Sequence, residues 1–318
     1  MFTIEETRKK FAGTEIHVAV PGSLSNLIRE DEKYKIKRMR VSGFLNSHDI
    51  LFIKDMCAYN NTEGQLAHLD LKDTQIVSGD KISHEYKGDK IAFYTKERSI
   101  TKYMFAGCFT LKELRLPDNT KLIEQCSFWN CCSLYYIVIP ENTVYIDPLA
   151  FPDCNNLGIF QVSKNNNEYT SIKGLLYNKD MTELILCPPG IGRYKDKITL
   201  PNTLNELKGD IFYSCSTAIF VLILPPSIKY ISKNVFRTFT TPVRYLVIQS
   251  EHLEIECDTF SRRRMKIFCF SKTPPYCDGD IGDITLFVYP EYQSIYETDP
   301  FWSKCAIIGM SLENLDIL

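Results

Sequence analysis

The sequence predicts a repeat solenoid: a right-handed coil of mainly short parallel strands joined by turns and short helices, with a cap at each end and an inserted β-hairpin. Three observations predict this fold class. An aliphatic residue followed five positions later by phenylalanine recurs six times, a strand-like segment follows these pairs, and no Ser/Gly-rich linker divides the chain. A length of 318 residues alone would suggest about two domains. The recurring pattern instead favours one continuous stack.

The first element of the pattern is the aliphatic–phenylalanine pair. Successive pairs are separated by 23, 23, 61, 24 and 24 residues, which indicates a short repeat with one insertion. Such a unit cannot bury its apolar side alone, so units must stack on one another. Stacking places equivalent side chains in columns, with successive members about 4.8 Å apart where strands pair. We therefore expect the phenylalanines to form a spine, and each coil to hold one short strand and one tight turn or helical turn. The pairs are Ile100/Phe105, Ile123/Phe128, Ile146/Phe151, Leu207/Phe212, Ile231/Phe236 and Ile255/Phe260.

The second element lies three positions after each phenylalanine, where four copies carry cysteine and the last two carry Phe239 and Arg263. A small apolar side chain with a weak S–H donor suits a buried turn, so we interpret these cysteines as structural thiols. Stacked cysteines would be near enough for disulfides, but their side chains would point in parallel. The chain also lacks the C-x-x-C pair that begins most zinc sites. The cysteines of this column are Cys108, Cys131, Cys154 and Cys215.

The third element is a strand whose aliphatic residues face the core. Proline after the strand ends the hydrogen-bonded ladder because it has no N–H. The intervening strand positions would then face outward. The inward and terminating residues are Leu111, Leu114, Leu116 and Pro117; Leu134, Ile137, Ile139 and Pro140; Leu157, Phe160 and Val162; Leu222, Leu224 and Pro225; Leu246 and Ile248.

The combined pattern I-x-x-x-x-F-x-x-C-x-x-L-x-x-L-x-L-P resembles the BspA-like leucine-rich repeat family, a bacterial surface-antigen type of repeat. The resemblance covers residues 100–270 closely and extends more loosely to residues 22–28 and 66–71 and to Phe301 and Trp302. It implies a curved solenoid with a role in adhesion or recognition, in an extracellular or cell-surface location. It brings no catalytic residues.

The pattern also divides the chain. Within the first cap we expect a strand near residues 15–20 and a short helix with Ser23 as its N-cap and Leu24, Leu27 and Ile28 on one face. The C-terminal cap would cover the last coil. The predicted divisions are an N-terminal cap over 1–35, longer diverged leucine-rich repeats with a helical crossover over 36–99, BspA-like repeats over 100–270 with a hairpin near 172–190, and a C-terminal cap over 271–318.

The outward strand positions define a candidate partner-binding face. Tyrosine suits such a face because it offers a large contact area at low entropic cost, and the chain has 18 tyrosines. The alternative is that these residues are merely exposed strand positions. The predicted binding residues are Lys112, Arg115, Tyr135, Tyr136 and Gln161.

Several kinds of chemistry find no support in the sequence. The 37 Lys+Arg and 39 Asp+Glu give a net charge of −2, which is not the basic footprint of a nucleic-acid-binding protein. The apolar run at 218–224 is too short for a membrane span, which needs ~18 residues. No H-E-x-x-H occurs, and the acidic stretch 277–283 is followed by Tyr289 where an EF-hand needs glutamate. The basic triplet 262–264 reads as a solvated loop or a phosphate or sulfated-glycan contact. We expect no catalysis, metal or cofactor.

The sequence therefore predicts a non-enzymatic recognition or adhesion protein that presents its strand face to a protein or glycan on a host or neighbouring cell. An intracellular interaction scaffold of the same fold is the alternative, consistent with the unpaired thiols and with an N-terminus that lacks the apolar stretch of a secretory signal. A third hypothesis is an enzyme with a pocket formed by the hairpin or the caps.

Overall fold

The structure is a computed structural model that describes residues 12–86, 89–236, 243–260 and 264–311. Its first half consists of short strands, three α-helices and a 3-10 turn at Tyr59–Asn61. In chain order the strands and α-helices are β1 (Thr14–Val18), α1 (Leu24–Leu27), α2 (Glu30–Lys33), β2 (Arg38–Leu45), α3 (Ser47–Met56), β3 (His68–Ile76), β4 (Ile82–Tyr86), β5 (Asp89–Phe93), β6 (Ser99–Ile100), β7 (Glu113–Arg115), β8 (Leu122–Ile123), β9 (Tyr136–Ile139), β10 (Tyr145–Ile146) and β11 (Ile159–Val162).

The second half continues with short strands and ends in a helical turn and a final strand. Its elements are β12 (Tyr169–Ile172), β13 (Leu175–Asn178), β14 (Leu184–Leu186), β15 (Lys197–Thr199), β16 (Glu206–Leu207), β17 (Ile219–Leu224), β18 (Tyr230–Ile231), β19 (Val243–Ile248), β20 (Glu254–Ile255), β21 (Arg264–Cys269), β22 (Tyr276–Cys277), β23 (Asp283–Val288), α4 (Gln293–Glu297) and β24 (Ala306–Gly309).

Two parallel sheets organise these strands. The first sheet has the order β1-β2-β3-β7-β9-β11, and the second has the order β15-β17-β19-β21-β23-β24. Neighbouring strands belong to successive coils, so the same strand position recurs across each sheet. This arrangement confirms the predicted repeat solenoid.

Each coil of residues 100–270 contains two strands, whereas the sequence predicts one. The aliphatic anchors do not lie in turns but in two-residue strands of their own. They form two further parallel ladders, β6-β8-β10 and β16-β18-β20-β22, with Ile100 paired with Ile123. The phenylalanine five positions after each anchor lies in a non-helical segment, which is a turn in five of the six copies. The expectation of one strand per coil was therefore wrong, because a two-residue strand is too short to show alternation.

The insertion after β11 is a three-stranded antiparallel meander, β12-β13-β14. The predicted hairpin corresponds to β13 and β14, and β12 was not anticipated. Successive residues of β13 face opposite ways, and a register shift between β13 and β14 turns Leu184 and Leu186 to opposite sides as well. Leu176 and Leu186 pack with the core of the first half, and Leu175 and Leu184 pack with the core of the second. The parallel pairing stops at β11 and resumes at β15. At the meander, the two halves are therefore connected by side-chain packing and not by parallel strand pairing.

The phenylalanine column forms the expected spine. The rings of Phe105 and Phe128 stack with centroids 5.7 Å apart, and those of Phe128 and Phe151 stack at 5.0 Å. A second series starts with Phe212 and Phe236 at 5.9 Å. All these rings are buried. Since a repeat pattern brings identical side chains together in adjacent coils, stacking follows directly from the spacing.

The cysteine column has a specific hydrogen-bonding role. The Cys131 thiol donates to the backbone carbonyl of Phe105 at 3.1 Å, and the Cys154 thiol donates to that of Phe128 at 3.0 Å. Each thiol therefore satisfies a carbonyl of the preceding coil. All twelve cysteines lie in the described residues and are free thiols, and burial raises the pKa of Cys131 well above its ordinary value. Phe239 and Arg263, at the same column position, lie outside the described residues.

Two details of the N-terminal cap differ from expectation. Ser23 occupies the N-cap position of α1, but its side chain makes no capping hydrogen bond and donates to the Val20 carbonyl instead. The Asp49 carboxylate, brought close by α3, accepts the Leu24 N–H at 2.9 Å. Leu24 is buried, whereas Leu27 is 50% exposed. The helix is a single turn, so its predicted apolar face is narrower than the sequence suggested.

Trp302 covers the C-terminal end of the phenylalanine column. Trp302 is buried and its ring lies 6.3 Å from that of Phe260, the last phenylalanine of the spine. Its indole N–H donates to the Pro275 carbonyl at 2.8 Å. Strand β24 then adds to the second sheet in parallel with β23, so an aromatic side chain and an edge strand together cover the last coil.

Candidate interaction surface

The outer face of the first sheet carries the predicted binding residues. On β7, β9 and β11 the residues Leu114, Ile137 and Phe160 are buried, and their neighbours in sequence point to the opposite face. Register then aligns outward residues in rows. Glu113, Tyr136 and Ile159 form one row, and Arg115, Val138 and Gln161 form the next.

Lys112 and Tyr135 lie immediately before β7 and β9 and extend this arrangement by one more row. The Tyr135 N–H donates to the Lys112 carbonyl at 2.8 Å, and the Gly158 N–H donates to the Tyr135 carbonyl at 3.0 Å. The structure thus places Arg115, Tyr136 and Gln161 on the outer face of three adjacent strands, with Lys112 and Tyr135 directly before two of them. We call this surface the aromatic face; it consists of Lys112, Glu113, Arg115, Tyr135, Tyr136, Gln161 and Tyr194.

Tyr194 belongs to this face although the sequence analysis did not predict it. Its ring lies edge-on to that of Tyr135, with centroids 5.1 Å apart, while Tyr135 makes a similar edge contact with Tyr136 at 6.2 Å. The absence of a side chain at Gly158 leaves room for it, since an added Cβ would lie 2.4 Å from the Tyr194 ring. Tyr194 follows the meander in sequence, so no local pattern could have connected it to Tyr135.

The polar side chains beside the rings are held by cross-strand contacts. The Glu113 carboxylate lies 2.6 Å from His68 Nδ1. Tyr136 also hydrogen-bonds Glu113, and burial together with the charge of Glu113 raises the pKa of Tyr136 to about 12. Tyr136 is therefore neutral at physiological pH, with its hydroxyl held at one edge of the aromatic cluster.

Arg115 is paired rather than free. Its guanidinium lies 3.9 Å from Asp70, which also binds Arg40 at 3.2 Å, and Arg40 reaches Glu15 at 3.0 Å. These charges alternate along one row of the sheet. Asp70 is buried while both arginines are partly exposed, so these contacts restrict the side chains and fix the charge pattern of the face.

One lysine is buried beside the cysteine column. Lys54 on α3 is fully buried. Its ammonium donates to the Tyr103 carbonyl at 3.1 Å and lies over the rings of Tyr59 at 4.2 Å and Phe93 at 4.7 Å. Burial lowers the pKa of Lys54 to about 8. The carbonyl and the two ring faces compensate only part of the lost hydration, so this is a structural cation held at a cost in free energy.

The second sheet has a different outer face. On β17, β19 and β21 the outward residues Val221, Val247 and Phe268 are apolar and buried, so these strands are covered on both sides. Arg244 lies over the exposed Phe220 ring at 5.6 Å. The continuous apolar run at 218–224 belongs to a strand of this kind, a pattern typical of two-sided burial.

As far as the structure describes them, the acidic stretch and the basic triplet show no ligand-binding geometry. In the acidic stretch 277–283, the Asp258 carboxylate accepts the Asp280 N–H. Arg262 and Arg263 lie outside the described residues, and Arg264 pairs with Asp283 at 3.1 Å. Across the residues the structure describes, no three His, Cys, Asp or Glu side chains could jointly hold a metal ion. Within the same residues, no helix is both long and apolar enough to traverse a bilayer.

Comparison with known proteins identifies the repeat. The family of the BspA type leucine rich repeat region matches six copies over residues 83–188 and 193–275, more than half of the chain. A search of curated proteins finds no match.

Solved structures with a similar course of the chain come from bacterial proteins. A leucine-rich repeat protein from Eubacterium ventriosum is 16% identical, with a TM-score of 0.46, over 87% of this chain and 73% of its own. The pneumococcal vaccine antigen PcpA is 12% identical, with a TM-score of 0.38, over 98% and 83%. A leucine rich cell surface protein from Faecalibacterium prausnitzii is 14% identical, with a TM-score of 0.39, over 92% and 83%. On the six matched repeat copies, this chain belongs to the BspA type leucine-rich repeat family.

Proposed function

We propose that the chain is a non-enzymatic recognition or adhesion protein that acts outside the cell or at the cell surface. It binds a protein or glycan of a host or neighbouring cell through the aromatic face. The observation that carries the proposal is the aromatic cluster in which the Tyr135 ring makes edge-to-face contacts with the rings of Tyr136 and Tyr194. Membership in a repeat family found in surface antigens supports the location.

The geometry of the cluster suits a binding site. Tyr135 is 38% exposed while its ring is fixed by two neighbours, so little side-chain freedom remains to be lost on binding. Lys112 and Gln161 lie to either side and offer a cation and an amide. Rigid aromatic area with a polar rim is the usual composition of a binding hot spot.

A glycan and protein array probed with the purified chain tests the proposal. A ligand found there should lose at least tenfold in affinity on the double change Tyr135→Ala and Tyr136→Ala. The matched control is Tyr276→Ala, because Tyr276 is 65% exposed and lies on β22, outside the aromatic face. Unchanged affinity in the double variant would show that another surface binds the ligand.

An intracellular interaction scaffold is the second candidate, and the twelve free thiols favour it, since disulfides form in oxidising compartments. Labelling of intact cells that express the natural gene with a membrane-impermeant amine reagent separates the two. Surface labelling supports the adhesion proposal. Labelling only after lysis supports the scaffold.

A further inference from the structure

The first strand of the second sheet has an open edge. Strand β15 is terminal in the sheet and pairs only with β17. On the paired side, Val221 N–H donates to the Asp196 carbonyl at 2.7 Å and Leu200 N–H donates to the Ile223 carbonyl at 3.1 Å. In a parallel pair, alternate residues direct both backbone groups to the same side. The N–H and C=O groups of Lys197 and Thr199 therefore point away from β17.

A cleft adjoins this open edge. It has a volume of about 260 Å³ and lies between β15 and the meander. Leu175, Tyr177 and Met181 form one wall, and Ile198 and Leu200 lie on the side of β15. We call this site the edge cleft. Within the described residues, no strand of the meander pairs with β15, so the open edge of β15 faces the apolar wall across the cleft.

The charges around the edge cleft have one sign. Its lining contains Lys173, Lys195 and Lys197 and no acidic residue. None of the ion pairs found in the described chain involves these lysines. Burial and the neighbouring charge of Lys173 lower the pKa of Lys195, as expected where cations accumulate without a counter-charge.

The position of Lys173 is set by the backbone. Lys173 and Gly174 are the two turn residues between β12 and β13, with φ of 53° and 90°. Two positive φ values are typical of a type I′ hairpin turn, which asparagine or glycine usually occupies at the first position. A lysine accepts this conformation at some cost in energy, and the turn holds its charge at the mouth of the cleft.

We propose that the edge cleft binds an extended peptide segment in which acidic and apolar residues alternate. The peptide adds to the free edge of β15 as a further strand. Its backbone meets the N–H and C=O groups of Lys197 and Thr199, its apolar side chains enter the cleft, and its carboxylates face the three lysines. Strand addition to a sheet edge is a general mode of peptide recognition, and the alternation of side chains follows from strand geometry. The site is separate from the aromatic face and does not depend on the function proposed there.

The first test uses a fluorescein-labelled peptide of sequence Glu-Val-Glu-Val-Glu-Val and fluorescence anisotropy at low salt. We expect saturable binding, and no saturation with Lys-Val-Lys-Val-Lys-Val. The triple change Lys173→Gln, Lys195→Gln and Lys197→Gln should weaken binding at least tenfold. Lys229→Gln, an exposed lysine elsewhere in the second half, is the matched control and should leave it unchanged. Equal binding of both peptides, or of the triple variant and the native chain, would overturn the proposal.

The second test isolates the backbone contacts. Thr199→Pro removes an N–H that β17 does not use, and Ile198 before it already has the extended backbone that proline requires. This variant, and the peptide N-methylated at alternate residues, should both reduce affinity at least tenfold.

Hydrogen exchange on the native chain needs no variant. The amides of Lys197 and Thr199 should exchange fast in the free protein and at least tenfold more slowly with the peptide bound. Peptide binding that leaves these amides unprotected would show a purely electrostatic contact and refute strand addition. The Tyr135→Ala, Tyr136→Ala variant must retain peptide binding, which keeps this test distinct from that of the aromatic face.

Discussion

Replacement of Lys54 by methionine should change how stability depends on pH. Methionine is similar in length and apolar, so it removes the buried charge without opening a large cavity. The Tyr103 carbonyl that Lys54 binds also accepts the Ala106 N–H at 3.1 Å, so the change leaves no unsatisfied carbonyl. The variant should therefore fold.

The magnitude follows from the pKa. Burial lowers the pKa of Lys54 from 10.5 to about 8. Between these values the unfolded chain binds a proton that the folded chain has released, so the free energy of unfolding rises with pH across this window. At about 1.4 kcal/mol per pKa unit, the native chain should gain about 3 kcal/mol relative to Lys54→Met between pH 8 and pH 10.5. Below pH 8 the difference should be constant.

Other groups titrate nearby, and the comparison cancels most of their effect. Cys57, Cys108 and Cys131 and the carboxylate of Asp55 lie near the ammonium. Burial raises the pKa of Cys57 and Cys131, so these thiols lower stability above about pH 9, opposite in sign to the lysine. They are present in both proteins, so most of their contribution cancels in the difference between the two.

The assay is urea unfolding under a reductant at pH 7, 8, 9 and 10, followed by far-ultraviolet circular dichroism. Lys35→Met is the matched control, because Lys35 is exposed and should show no pH-dependent difference from the native chain. A difference between the native chain and Lys54→Met that stays flat or falls from pH 8 to pH 10 would refute the reasoning.

Three further predictions concern the core and the aromatic face. Phe128→Ala should lower the free energy of unfolding by about 3–5 kcal/mol in urea titration, because a fully buried ring leaves a cavity; a loss below 1 kcal/mol would contradict the spine. Gly158→Ala should displace the Tyr194 ring and alter the tyrosine near-ultraviolet circular dichroism, and an unchanged spectrum would contradict the close approach. The thiols of Cys131 and Cys154 should react with Ellman's reagent only after unfolding, whereas Cys132, which is partly exposed, should react in the native protein.

The repeat register could be predicted from the sequence because every coil imposes the same environment on the same position. Phenylalanine recurs at the position of Phe128 because that position is buried in each coil. Cysteine recurs at the position of Cys131 because its thiol donates to a carbonyl of the preceding coil. The outward positions of Tyr135 and Tyr136 follow from the same register. Whether they bind a partner is not contained in that periodicity and stays a prediction.

Three features could not be predicted from the sequence, because they lie where the repeat pattern is interrupted, diverged or uninformative. Tyr194 reaches Tyr135 across the meander, and the hairpin of β4 and β5 lies in the diverged region, where no second copy confirms the pattern. The apolar outer face at Val221 and Val247 was also missed. Inward and outward positions there are both apolar, so alternation carries no signal.

The meander has a consequence for how the protein unfolds. In a stack of repeats, cooperativity passes from each coil to its nearest neighbour. Ring contacts run from Phe105 to Phe160 and again from Phe212 to Trp302, and aliphatic side chains of the meander occupy the space between the two series. Fraying that starts at one end should therefore stall at this junction. A pulling force applied through the termini would then release the chain in two steps, with one half still folded while the other is already extended.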